Sequence, residues 1–86
     1  MTHEKSTEER AFYATVGAWI KMRRKAAKLS QEQLGARLGV HRNVVLRWES
    51  GASMTAWMYT RVCHELGKQL YPVASEIHED VLRRIA

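Results

Sequence analysis

The sequence predicts an all-α fold of five helices. Three observations carry this. Apolar residues recur at three- and four-residue steps through most of the chain, the spacing that keeps them on one helix face. Ser6 and Ser30 precede such runs, while Gly39, Gly51 and Gly67 follow them, as helix starts and stops require. No proline falls between Ser6 and Lys28, and Pro72 stands where it suits the first turn of a last helix.

Residues 1–6 are polar and are expected to fray. Ser6 with Glu9 resembles a capping box, which starts a first helix running to about Lys28. Phe12, Val16 and Ile20, then Ala27, form its expected buried stripe. Lys28-Leu29-Ser30 breaks the helix, with Leu29 plugging the gap. Ser30 caps a second helix over residues 31–38, with Gln33 at its third position and Leu34 and Leu38 on one face. A small residue at Gly35 lets the next helix approach, and Gly39 permits the positive φ of a sharp turn. His41 or Arg42 opens a third helix that runs to about Ser50, with Val45 and Trp48 inward and Gly51 at its end. Ala52 and Ser53 lead into a fourth helix ending at Leu66, its inward face Ala56, Tyr59, Val62, Cys63 and Leu66. Val73, Ile77 and Val81, then Ile85, continue as a fifth helix, though Leu70-Tyr71-Pro72-Val73 also reads as a short edge strand within 68–74. Trp48 reads as core. Trp19 and Trp57 fall beside their stripes and, with Met54 and Met58, suit a protein interface or a loosely defined core.

Length and composition narrow the class. Eighty-six residues make one small domain with a single modest core, and 45% apolar content suffices for it. No 18-residue apolar run predicts a membrane span, and no charged-then-apolar start predicts a secretory signal. A single cysteine, Cys63, excludes an internal disulfide framework and fits a reducing cytoplasm. Cys63 and His64 are adjacent rather than spaced like metal ligands. No nucleophile elbow, phosphate loop or acid/base pair is present, so neither an enzyme nor a cofactor is predicted.

Charge is distributed unevenly. The chain holds 14 Lys+Arg against 9 Asp+Glu, a net +5. Residues 11–51 carry +6, residues 1–10 carry −1 and residues 52–86 are neutral. The whole excess therefore lies on the first three helices, the footprint of a surface that displaces counterions from phosphates.

The stretch SQEQLGARLGVHRNVVLRWESG, residues 30–51, looks like a helix-turn-helix, the unit that places a recognition helix in the DNA major groove. Leu29-Ser30-Gln31-Glu32-Gln33-Leu34-Gly35, Leu38-Gly39-Val40 and Arg47-Trp48-Glu49-Ser50-Gly51 together resemble the Cro/CI-type (XRE-like) regulators, which include phage repressors, restriction–modification controllers and many antitoxins. The resemblance covers about residues 15–67 and implies a lambda-repressor-like domain with its helix-turn-helix at about residues 31–50. This chain departs from the pattern at Lys28, often glycine in the family, at Gly35, usually alanine, and at Leu46, usually small or polar.

The resemblance assigns Gln31 to a backbone phosphate and to bracing a recognition-helix side chain, and a helix N-terminus is itself an anion site. Ser30 caps that terminus. Arg42, Asn43 and Arg47 are spaced to face the groove, where arginine pairs with guanine and asparagine with adenine. Val44 is expected at a thymine methyl, and His41 and Ser50 at phosphates. The family also implies a clamp between Arg24 and Glu49.

The function expected is a sequence-specific regulator of transcription, a repressor, binding a double-stranded DNA operator of two half-sites as a homodimer. Residues 7–67 would form the DNA-binding domain. Residues 68–86 would supply the dimer contact through Leu70, Tyr71, Val73, Ile77, Val81, Leu82 and Ile85. The alternatives are an antitoxin with a toxin as second partner, a restriction–modification controller, and an interaction adaptor that has lost DNA binding.

Overall fold

The computed structural model describes residues 6–66 and 81–85. Four helices follow one another: α1 (Thr7–Ala26), α2 (Gln31–Leu38), α3 (Arg42–Glu49) and α4 (Ala56–Leu66). A fifth helical stretch covers residues 81–85, and no strand occurs among the described residues. Among the described residues the fold is all-α, consistent with the lambda-repressor type. The edge-strand alternative at 68–74 lies outside the described residues, as do Leu70, Tyr71, Val73 and Ile77.

Local chemistry sets the boundaries. The Ser6 hydroxyl accepts from the Glu9 N–H at 3.1 Å and starts α1. Ser30 and Gln33 form a reciprocal capping box, with Gln33 N–H to the Ser30 hydroxyl at 3.0 Å and Ser30 N–H to the Gln33 side-chain Oε1 at 2.8 Å. The Thr55 hydroxyl accepts from Met58 N–H at 3.1 Å, which starts α4 later than Ala52-Ser53 would.

The first three helices end in the same way. The Leu29 N–H returns to the Arg24 carbonyl and Lys28 N–H to Lys25; Val40 returns to Gly35 and Gly39 to Ala36; Ala52 returns to Arg47 and Gly51 to Trp48. Each pair is a Schellman closure, which needs a left-handed residue just past the helix. Gly39 (φ 74°) and Gly51 (φ 97°) supply it without strain, whereas at the end of α1 the residue is Lys28, at φ 59°.

The core gathers Val16, Trp19 and Ile20 of α1, Leu34 and Leu38 of α2, Val45 and Trp48 of α3, Val62 and Cys63 of α4, and Val81. The buried face of α1 is wider than a single stripe. One column is Ala11, Thr15 and Trp19, the next Val16, Ile20 and Arg24. Phe12 is 37% exposed at its edge, and Ala27 and Ala56 are exposed. Trp19 is core, in ring contact with Tyr59 at 6.5 Å, while Trp57 is 71% exposed. Burial pushes the Tyr59 phenol and the Cys63 thiol up from their ordinary values. Both therefore stay neutral near pH 7, as apolar surroundings favour.

Two glycines set helix separations. A Cβ on Gly17 would stand 2.3 Å from the Trp48 carbonyl oxygen, so α1 meets the last turn of α3 backbone to backbone. A Cβ on Gly35 would stand 2.6 Å from the Val40 carbonyl oxygen, which holds the turn close against α2.

Candidate nucleic-acid interface

The orientation of α3 decides the site. Its inward side is Val45, with no exposure, and Trp48, 6% exposed; Val44 is half-buried against the same core. At about 100° per residue, the remaining positions other than Glu49 form one arc in the order Arg42, Leu46, Ser50, Asn43 and Arg47. All five are exposed. Arg42, Asn43 and Arg47 thus share one open face. Val44 is half-buried at the border between this face and the core, whereas Leu46, 48% exposed, stands within the face.

The ends of α3 are fixed by side chains. At the start, His41 Nδ1 accepts from the Asn43 N–H at 3.1 Å. In the neutral ring this leaves the proton on Nε2, an outward donor. At the end, the Ser50 hydroxyl donates to the Leu46 carbonyl at 2.9 Å, and its oxygen can still accept.

Glu49 joins three segments. Its carboxylate accepts from Arg24 Nε at 2.6 Å and Nη2 at 3.1 Å, and from Gln31 Nε2 at 3.1 Å. Arg24 Nη1 donates in turn to the Leu29 carbonyl at 2.9 Å. The side chains of Arg24 and Glu49 are 9% and 3% exposed. The hydrogen bonds it donates to Glu49 hold the guanidinium pKa above its ordinary value against the opposing effect of burial, so Arg24 stays charged. One carboxylate therefore ties α1, the start of α2 and the end of α3 into a single frame. Gln31 is held with its amide nitrogen on Glu49, beside the free N–H groups of the first turn of α2. Ser30 is exposed at that terminus.

Sequence reasoning passed over Gly17. The available signal was a glycine inside a long helix, next to Val16 on the buried stripe, where alanine would favour the helix by about 1 kcal/mol. It also passed over Arg61, whose Nη1 donates to the Leu38 carbonyl at 2.8 Å and ties α4 to the end of α2.

Residues 20–56 match the family model described as Helix-turn-helix. No curated protein and no solved structure matches the chain. The match spans α2, the turn and α3, with Arg24 and Glu49 inside it. No helix among the described residues is long and apolar enough to cross a membrane. Residues 20–56 therefore form a Cro/CI-type (XRE-like) helix-turn-helix, a domain that supports a DNA-binding transcriptional regulator.

Proposed function

We propose that the chain is a repressor that binds a two-half-site operator as a homodimer, with α3 in the major groove. The observation that supports this is the single exposed face carrying Arg42, Asn43 and Arg47 on a helix whose other side is buried. Arg42 and Arg47 are matched to guanine O6/N7 and Asn43 to adenine N6/N7. Ser30, Gln31, His41 and Ser50 are matched to phosphates on either side of the groove. One recognition helix reads only a few base pairs, so a second half-site supplies the remaining specificity. Leu82, 51% exposed, and Ile85, 36% exposed, are candidates for the subunit contact. Val81 is buried in the core of its own chain, which leaves it little to offer a partner.

Selection from a random duplex pool tests the reading. The expected outcome is an inverted repeat with half-site centres about one helical turn, roughly 34 Å, apart. Equal affinity for selected and random DNA overturns it.

An antitoxin reading is favoured by one further observation. Trp57 is 71% exposed, and its neighbour Ala56 lines an open groove of about 210 Å³ with Phe12, Met54 and Tyr59. Such a surface suits a protein partner in addition to DNA. Recovery of a stoichiometric protein partner on co-expression with the adjacent gene, lost in Trp57→Ala, distinguishes the two.

A further inference from the structure

We propose that Leu46 recognises the C5-methyl group of a pyrimidine in the major groove, thymine in unmodified DNA, near the middle of each half-site; this rests on α3 being the base-reading helix. Leu46 is the apolar member of an otherwise polar arc. It is 48% exposed and stands one turn from Arg42 and three residues from Asn43. About 40° of helix rotation separates it from Arg42 and about 60° from Asn43, so all three face the groove together. A leucine buried there against polar base edges would strip their water and return no hydrogen bond. The C5-methyl is the apolar feature that the major groove offers, and contact with it turns the same burial into a gain. Val44, half-buried against the core, presents less of its side chain to the groove than Leu46 does. The Leu46 backbone is also held, since its carbonyl accepts from both the Ser50 hydroxyl and the Ser50 N–H. The side chain is therefore presented from a fixed helix end.

The probe is the duplex that the wild-type chain selects, with each thymine in turn replaced by uracil, which removes only the methyl group. Burial of one methyl is worth about fourfold in affinity, or about fifteenfold when both half-sites are changed. The wild-type chain should show that loss at one thymine per half-site. Leu46→Ala should bind the thymine duplex about as weakly as the wild type binds the uracil duplex, and should no longer distinguish them. Leu46→Met, which keeps an apolar tip, should retain part of the discrimination. Cytosine and 5-methylcytosine placed at the same position separate the two sources of the methyl group. A preference for 5-methylcytosine over cytosine shows that methylated sites are read as well, while its absence confines the contact to thymine. Circular dichroism melting of Leu46→Ala should match the wild type, since half of the side chain is already in water. Equal wild-type affinity for thymine and uracil at every position, or full discrimination in Leu46→Ala, overturns the proposal while leaving sequence-specific binding intact. Failure of the wild-type chain to select any sequence overturns the reading of α3 itself.

Discussion

Arg24 and Glu49 show how much a single pair can hold. The pair is almost wholly buried, and the carboxylate also accepts from Gln31. Breaking one side of a buried pair can cost about 3–5 kcal/mol, because the remaining charge stays desolvated. Glu49→Ala should therefore lower stability by about 3 kcal/mol, toward the low end because Arg24 keeps its bond to the Leu29 carbonyl. Glu32→Ala, at an exposed position, should change it by less than about 0.5 kcal/mol. Equal urea midpoints for the two variants would show that the pair contributes nothing. Backbone conformation supplies a second contrast. Lys28→Gly relieves a left-handed side chain worth roughly 1–2 kcal/mol, less the roughly 0.5–1 kcal/mol of extra unfolded-state freedom that glycine brings. It should stabilise the fold by about 0.5–1 kcal/mol. Gly17→Ala gains about 1 kcal/mol of helix propensity but drives a Cβ into the Trp48 carbonyl. The clash cannot relax without moving α3, so the net effect should be a loss of about 1–3 kcal/mol. A stabilised Gly17→Ala variant in thermal melts would refute the close approach.

At the scale of the element, α2 and α3 divide their work. On the proposed reading α3 carries base contacts and the start of α2 carries phosphate contacts, so their variants should fail differently. Arg47→Ala should lose about 1–3 kcal/mol at the operator and relax preference at one base pair. Gln31→Ala should weaken selected and random DNA alike and leave the preferred sequence unchanged. It also loosens the last turn of α3 through Glu49, so a modest stability loss should accompany it. Titrations of both variants against operator and random duplexes check this. A changed base preference in Gln31→Ala would move it into the reading set.

For the whole molecule, residues 81–85 are where fold and assembly meet. Val81 belongs to the chain's own core, and Arg84 Nε donates to the Thr15 hydroxyl of α1 at 2.7 Å. Leu82 and Ile85 remain exposed. Val81→Ala should lower stability by roughly 1–3 kcal/mol, through lost methyl burial and the cavity left behind. Leu82→Glu should barely change the stability of the monomer but should shift sedimentation toward it and reduce operator affinity. Unchanged sedimentation of Leu82→Glu at all concentrations would place the subunit contact elsewhere.

The sequence alone determined the order of α1 to α4, the caps at Ser6 and Ser30 and the bounds of α2, because caps and periodicity are local and each is written within a few residues. Ser30 with Gln33, and Gly39 and Gly51, could be read without knowing any neighbour. The basic excess on residues 11–51 and the resemblance of residues 30–51 pointed to the partner in the same way, since charge and motif are properties of the chain. Tertiary structure decided the rest. It placed Trp19 in the core and Trp57 outside it, although each stands beside the stripe of its helix. It required glycine at position 17, because the reason lies in a carbonyl 31 residues away at Trp48. It half-buried Val44 and left Leu46 outward, a choice set by the rotation of α3 about its own axis. That rotation is fixed by Val45, Trp48 and Glu49 seating together on α1 and α2, and pairwise packing of this kind cannot be read from one helix at a time.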